Sequence, residues 1–555
     1  MNRRGFLGSA FGQKTVLSPT QQQQNHQVQT SLASYTGPWT FDEAAHLLRR
    51  TLFGTRHNEI TQAVSDGLDN TLDRLMTTGL EPDPPVNAYF QNDIDVPIGQ
   101  SWVDAPFSAG TNGYRRITLM AWSMGQMINQ PVSIREKMLL FWHNHFAVEA
   151  GVVNDPRFLY RYVKTLRENA LGNFKTLVEK ITIDPTMLRY LNGNQNTAVA
   201  PNENYARELF ELFTIGKGPQ LAPGNYTHYT EDDVIAAAKV LTGWRDRGHN
   251  NNFFAIDTEF VPNRHDTSTK QFSSAFNDQT IADNGADEYK DLITMIFGQT
   301  ETARFIVRKL YRWFVYYVID PSIEADIIEP LATILINNNF DIEPVLRTLF
   351  KSEHFYDVNA KACLIKNPLD FTISLIRQNE CIFPDESQNL AGLYGTWRRI
   401  YQAAETQQMA FLQPPSVAGW PAYYQIPGFH ENWINSVTLP ERTAKATELI
   451  MSGIGQFGGN VQIQPLDMIG IVSDATDPNI LIGELTQFYM PQALTQGQLD
   501  FLKEVLIPGL PDIEWTVEYN AYLNNPNDQN LRDAVDNKLR VLFNTMFNLA
   551  EYQLS

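Results

Sequence analysis

The chain has 555 residues, a net charge of −19 and 43% apolar residues. Its acidic surplus excludes a general polyanion binder, so we expect no nucleic acid partner. Because no run of about 18 uncharged apolar residues occurs, we expect no membrane span. The two cysteines, Cys363 and Cys381, fit neither a disulfide framework nor a metal-ligand spacing.

The N-terminal segment has the form of a twin-arginine export signal. Arg3 and Arg4 precede a short stretch of small and apolar residues, and a Gln-rich polar tract follows. We therefore predict that residues 1–37 form a signal-like segment and a disordered polar linker. This predicts a periplasmic or exported protein. The alternative is a cytoplasmic protein whose tail begins with two arginines.

Helical patterns dominate the remainder of the chain. Thr40 begins the first of them, and Glu43 three residues later completes a capping box. The same signature recurs at Thr230 and Thr495. Further helices are expected at 57–78, 115–129, 132–149, 157–181, 202–215, 231–243, 287–297, 301–319, 322–337, 342–351, 368–378, 389–409, 437–452 and 529–549.

Strand signals are few, and three stretches rich in Pro, Gly, Asn or Asp indicate long loops at 81–112, 244–286 and 411–433. The predicted fold class is mainly α, a multi-helix globular protein with long irregular loops and little or no sheet. We predict a main helical domain over 38–455 and a C-terminal helical region over 456–555 that packs on it.

The first candidate cluster centres on Glu208. On a helix over 202–215, this carboxylate lands inside a wide apolar arc. A carboxylate in apolar surroundings is costly unless it is paired or protonated. One interpretation is a structural ion pair with Arg49, Arg50 or Arg189. The others are an acid or base with a raised pKa, and a metal ligand.

The second cluster is the pair His143 and His145, which lies in a run that is apolar around its whole circumference. On a regular helix, residues two apart point about 200° from each other, so the pair could not chelate one ion. An extended or broken segment would bring both to one face. Hydrogen-bonded core histidines are the alternative.

The third cluster is a polar, non-helical loop that holds His265, Asp266 and Lys270. Loops carried on a rigid scaffold often hold functional residues, although an inert exposed turn would look the same. Trp244 and Trp420 could line a pocket, and the alternative is that both belong to the core. No established catalytic motif occurs.

Several segments, in order along the chain, resemble one bacterial family, catalogued as domain of unknown function 1800. They include "AAHLLRRTLFG" (44–54), "FWHNHF" (141–146), "PNENYARELFELFTIG" (201–216), "YTEDDVIAAAKVLTGW" (229–244), "RHDTSTKQF" (264–272) and "PPSVAGWP" (414–421). The resemblance covers roughly residues 38–555. It implies an exported protein, often encoded beside a sulfatase-like family, and no established activity. The family's polar positions map onto His46, His143, His145, Asn204, Arg207, Glu208, His265 and Asp266.

One functional hypothesis is a hydrolase that acts on a phosphate, sulfate or glycan-linked ester. Glu208 would be the general base or a metal ligand, His145 and His265 would be ligands or proton shuttles, and Asp266 would orient a histidine. Substrate would be bound by Arg207, Asn204, Trp244 and Trp420. A divalent metal would draw its ligands from His143, His145, His265 and Glu208.

The second hypothesis is a non-enzymatic accessory protein. It would bind a sulfatase-like partner, or a surface polymer, through the loops 81–112 and 411–433, which are rich in aromatic residues and Pro. In that case the polar clusters are buried structural networks.

Overall fold

The computed structural model of the chain describes residues 30–555, and the predicted signal-like segment lies outside that range. The hydroxyl of Thr30, the first described residue, donates to Asp326 Oδ2 at 2.8 Å. Tyr35 N donates to Lys351 O at 2.8 Å. The last residues of the predicted linker therefore pack on the helical body, because their backbone pairs with the end of a helix.

Helices make up most of the described chain, which confirms the mainly α fold class. The α-helices are α1 (Phe41–Thr51), α2 (His57–Met76), α3 (Asn112–Asn129), α4 (Arg135–His145), α5 (Ala150–Val153), α6 (Pro156–Glu168), α7 (Phe174–Thr182), α8 (Pro185–Tyr190), α9 (Glu203–Glu208), α10 (Glu231–Val240), α11 (Glu288–Phe297), α12 (Thr300–Phe314), α13 (Pro321–Ile323), α14 (Glu329–Asn337), α15 (Ile342–Lys351), α16 (Pro368–Gln378), α17 (Leu390–Thr406), α18 (Thr438–Met451), α19 (Pro465–Met468), α20 (Pro478–Tyr489), α21 (Gln496–Leu506), α22 (Asp512–Asn524) and α23 (Gln529–Phe547). Two π-helices are Leu209–Thr214 and Glu324–Ile328. No helix within residues 30–555 is long and apolar enough to cross a membrane.

Sheet is confined, within the described residues, to small two-stranded antiparallel ladders. Their strands are β1 (Gln220–Ala222), β2 (Asn225–Tyr226), β3 (Trp244–Arg247), β4 (Asp257–Phe260), β5 (Lys270–Gln271) and β6 (Thr280–Ile281). Trp244 is paired with Phe260 across β3 and β4. Two of the ladders lie in the predicted loop 244–286, and they hold His265 between β4 and β5.

Helix caps follow the predicted signatures. Thr230 N donates to Asp233 Oδ2 at 2.8 Å, and Asp233 N donates to Thr230 Oγ1 at 3.3 Å. The helix predicted over 157–181 is instead two helices, because Asn173 caps a new start by accepting a hydrogen bond from Thr176 N at 3.1 Å. The helix predicted over 132–149 ends early, at His145.

An aromatic core fixes the end of α4 against α7 and the first π-helix. The rings of Trp142 and Phe174 stack at 5.6 Å, and those of Phe146 and Phe213 lie 5.3 Å apart. All four side chains are fully buried. Aromatic pairs at such distances add stability beyond their buried area, so this core holds the His143 and Glu208 segments in a fixed relation.

The C-terminal region is tied to the rest of the chain. Ile365 and Leu554 form an antiparallel bridge, and Lys366 N donates to Gln553 O at 2.8 Å. The division at residues 455 and 456 stays a prediction.

Candidate functional site

Glu208 is the last residue of α9, and the π-helix Leu209–Thr214 follows it at once. Each π turn holds more residues than an α turn, because its hydrogen bonds join residues five apart. The 3.6-residue spacing that placed Glu208 inside an apolar arc therefore does not hold across this junction. The carboxylate is half-buried at the edge of the core. Single π turns inside helices frequently occur at functional sites.

The interpretation that Glu208 forms a structural ion pair with an arginine was wrong. Arg189 pairs instead with Asp246 at 2.5 Å, and Arg207 pairs with Glu231 at 2.6 Å. Within residues 30–555, the Glu208 carboxylate accepts no hydrogen bond and forms no ion pair. An ion-pair role for Glu208 is therefore excluded in this arrangement.

The surroundings of Glu208 favour its protonated form. Burial raises the pKa of Glu208, the nearby Glu211 raises it further, and the pKa reaches about 7 despite Arg207 and Lys217. Lys217 forms its ion pair with Glu211, at 2.5 Å, and not with Glu208. A carboxyl group with this pKa can release or accept a proton near neutral pH.

A second carboxylate, that of Glu149, lies between α4 and α5. Within the described residues it accepts no hydrogen bond and forms no ion pair. The pKa of the Tyr190 phenol is raised by burial, then by Glu149 and Glu208. Both carboxylates are therefore near this one phenol. We call Glu149, Tyr190 and Glu208 the Glu208 site. The sequence analysis missed Glu149, whose only signal was its place at the end of an apolar run.

We expect Glu208→Gln to stabilise the protein by about 1 kcal/mol at pH 8, with little effect at pH 5. The folded-state pKa of Glu208 lies above the unfolded value, so stability falls as pH rises from 4.5 to about 7 and stays lost above it. Gln is neutral throughout and avoids that loss; solvent screening of a partly exposed group keeps the effect small. Urea unfolding of both proteins at the two pH values measures it. A variant less stable than the wild type at pH 8 would assign Glu208 a structural role.

His143 is a buried core histidine. Its Nδ1 lies 3.1 Å from Tyr162 Oη, and its Nε2 accepts a hydrogen bond from Leu412 N at 3.1 Å. Tyr162 Oη in turn donates to Phe146 O at 2.7 Å. Burial lowers the pKa of His143 to about 3, so the ring is neutral. With both nitrogens engaged, His143 has no lone pair left for a metal.

His145 belongs to a different network. Its Nε2 donates to Phe213 O at 2.9 Å, and its Nδ1 lies 3.1 Å from Lys309 Nζ. Burial, then Lys309, lower the pKa of His145, and burial together with Arg312 lowers the pKa of Lys309 to about 7. The two histidines have separate partners, as expected for positions two apart on a helix.

His265 is buried at the centre of a third network. Its Nδ1 lies 2.9 Å from Thr242 O and 3.1 Å from Thr242 Oγ1, and its Nε2 donates to Glu288 Oε2 at 2.9 Å. Glu288 Oε1 forms an ion pair with Lys270 Nζ at 2.5 Å. The Asp266 carboxylate accepts hydrogen bonds from Ser268 N and Oγ instead. Glu288, and not Asp266, therefore orients the histidine.

Among the described residues, one group of three possible metal ligands lies close together. It consists of His265, Asp283 and Glu288, whose ligand atoms are within 4.8 Å of one another. Lys270 already places a buried positive charge 2.5 Å from Glu288. A divalent cation would be repelled there, so these residues do not fit a metal. The other metal candidates, Glu208, His143 and His145, are not part of this group.

The predicted substrate-binding residues lie in four different settings. Arg207 directs two guanidinium nitrogens at Glu231, at 2.6 and 2.7 Å. Asn204 is exposed, Trp244 is half-buried, and Trp420 is 1% exposed. Asn204 thus remains accessible to a ligand, whereas Trp420 is part of the core, as the alternative interpretation had it.

Two arginines that were considered as partners for Glu208 lie elsewhere. Arg49 Nη2 donates to Phe488 O and Arg50 Nη2 donates to Ala360 O, each at 2.6 Å. Both line a cavity that the sequence analysis missed. Its only signal was a pair of adjacent arginines in a helix dense in apolar residues.

The fold and these networks define a mainly α-helical protein with one candidate acid–base site and three structural histidine networks. The family described as "Protein of unknown function (DUF1800)" matches residues 46–554. The chain belongs to the DUF1800 family, which confirms the resemblance. Neither the curated proteins nor the solved structures gave a match to it.

Proposed function

We propose that the protein is a hydrolase in which Glu208 is the proton donor. The observation that carries this proposal is the half-buried Glu208 carboxyl group, which has no hydrogen-bond or ion-pair partner within the described residues. A second such carboxylate, Glu149, acts together with Glu208 on the phenol of Tyr190, because both raise its pKa. Hydrolases that cleave glycan linkages commonly use one protonated and one ionised carboxyl group. In this role Glu208 protonates the leaving oxygen, and Glu149 activates water or attacks the substrate.

The local charge favours one of the three substrate classes. The charged side chains that act on Glu208 are Glu211, Arg207 and Lys217. Both cations are already paired, Lys217 with Glu211 and Arg207 with Glu231. Such surroundings repel a phosphate or sulfate ester and tolerate a neutral glycan-linked bond. Export directed by Arg3 and Arg4, which have the pattern of a twin-arginine signal, belongs to the same proposal.

The test is turnover of a panel of aryl glycosides, acetylated glycans, aryl phosphates and aryl sulfates by the purified chain. We expect activity on a neutral substrate, and a decrease of at least a hundredfold in kcat for Glu208→Gln, because general acid catalysis contributes about 10²–10⁴-fold. Since the acid must be protonated, the rate should fall above about pH 7.

The matched control is Glu203→Gln, a change of the same kind on the same helix at a residue that pairs with Arg207 at 3.1 Å. It should leave kcat within a few-fold of the wild type. Equal rates for the Glu208→Gln variant and the wild type would refute the proposal.

The second candidate is the accessory role with a sulfatase-like partner. The predicted binding loops do expose apolar side chains: Ile94 is 92% exposed in 81–112, and Ile426 is 77% exposed in 411–433. Exposed apolar side chains can mark interaction surfaces. Recovery of such a partner by the chain, with no turnover of the panel, would favour this role over the hydrolase.

A further inference from the structure

A cavity beside α1 and α12 is lined by four cationic side chains, Arg49, Arg50, Lys137 and Arg312. We call it the basic cavity. Its volume is about 50 Å³. Asp370 is the one acidic side chain in its lining, and this carboxylate is already the ion-pair partner of Lys137. Three arginines therefore line one cavity, and within the described residues none of them forms an ion pair.

Hydrogen-bond donors in this wall are left without partners. Arg50 is 3% exposed, and its Nε and Nη1 are buried with no acceptor within the described residues. The same holds for Arg49 Nε and His430 Nε2. His430 Nδ1 accepts a hydrogen bond from Ile365 N at 3.2 Å, so Nε2 carries the proton in the neutral ring. Burial lowers the pKa of His430 to about 4, which keeps the ring neutral.

The hydrogen bonds of these arginines go to uncharged groups, although Asp42 raises the pKa of Arg49 and Glu324 raises that of Arg312 without forming an ion pair with it. Arg312 Nε donates to the carbonyl oxygen of Tyr317 at 3.3 Å, and Arg49 and Arg50 also donate to carbonyl oxygens. Ser555 lines the cavity as well, but within residues 30–555 it forms no ion pair with these cations. Burial lowers the pKa of Arg49 to about 10, which reflects the cost of its charge. A buried charge without an ion-pair partner is costly, and a bound anion would lower that cost.

We propose that the basic cavity binds a small oxyanion, phosphate or sulfate, either free or as the head group of a larger ligand. The planar guanidinium group presents parallel N–H donors that match the oxygens of such an anion. The cavity has room for a few water molecules, since one water needs about 10–15 Å³, and this suits one small anion. Neutral His430 adds an uncharged donor. The site is separate from the Glu208 site and does not depend on the hydrolase proposal.

The test is thermal unfolding and calorimetric titration of the full chain with inorganic phosphate, sulfate or acetate, at constant ionic strength set with sodium chloride. We expect a saturable rise in Tm with phosphate or sulfate that chloride does not give. Phenyl phosphate separates the two sources: tighter binding than inorganic phosphate indicates a head group, and weaker binding indicates a free anion.

Arg312→Gln removes one cavity charge and keeps a donor near Tyr317 O, and we expect it to weaken phosphate binding at least tenfold. Arg304→Gln is the matched control, because Arg304 lies on the same helix, pairs with Glu329 at 2.7 Å and does not line the cavity. His430→Asn is the second test: it keeps an acceptor for Ile365 N, removes the Nε2 donor and should also weaken binding. No saturable response in the wild type, or an equal response in all variants, would overturn the proposal.

Discussion

Glu288→Gln is expected to destabilise the protein by about 3–5 kcal/mol, because it removes the close counter-ion of the buried Lys270 ammonium group and leaves only the Asp266 carboxylate at 3.9 Å. The side chains of Glu288 and Lys270 are both 0% exposed, and the carboxylate also accepts the hydrogen bond of His265 at 2.9 Å. Gln preserves the shape of the side chain, so the loss reports the missing charge. Urea unfolding at pH 7 measures it.

Two further variants separate charge from packing in this network. Asp287→Asn changes the preceding residue, an exposed acid paired with Lys290, and should cost less than 1 kcal/mol. Adding Lys270→Met to Glu288→Gln should recover much of the loss, since an apolar side chain of similar volume can replace one member of a buried pair. A double variant no more stable than Glu288→Gln would contradict the ion-pair explanation.

Asp93→Asn is expected to lower the free energy of unfolding by a similar amount, about 3–5 kcal/mol. This variant tests whether the loop 81–112 is a fixed part of the fold. Asp93 accepts two hydrogen bonds from Arg115 of α3, each at 2.8 Å, and both side chains are 0% exposed. Arg115 Nη1 also donates to Pro106 O at 2.7 Å. One buried guanidinium therefore holds this loop at two points.

Asp95→Asn is the control in the same loop, because Asp95 is exposed. It should change the free energy of unfolding by less than about 0.5 kcal/mol. If Asp93→Asn costs no more than the control, the loop is held by other contacts. If the larger cost is found, any partner that binds at Ile94 meets a preformed surface.

Helix positions were largely predictable because their signals are local. The capping boxes at Thr230 and Thr495 depend on residues three apart, and both are present. The π-helix Leu209–Thr214 was not predictable, since nothing in an apolar run marks the extra residue in a turn. The assumption of 3.6 residues per turn over 202–215, which placed Glu208 inside the apolar arc, failed for that reason.

The candidate site was predictable only in part. Glu208 stood out because a carboxylate in an apolar run is unusual, but Glu149, which also acts on Tyr190, comes from a segment 59 residues earlier and carries no pattern. The role of Glu288 was missed because an acid in the first turn of a helix is ordinary. His143 and His145 attracted attention by residue type, and only the contacts of each ring show two separate structural networks.

The contacts of the His143 segment constrain the order in which the molecule can be completed during synthesis. The partner of His143 Nε2 lies 269 residues later, at Leu412, and Asn144 Oδ1 accepts from Trp420 N across 276 residues. At about 5–20 residues per second, a ribosome needs roughly 13–54 s to span that interval. Until then His143 and Asn144 lack these two hydrogen-bond partners, so the end of α4 gains its final contacts only after about three quarters of the chain has been made.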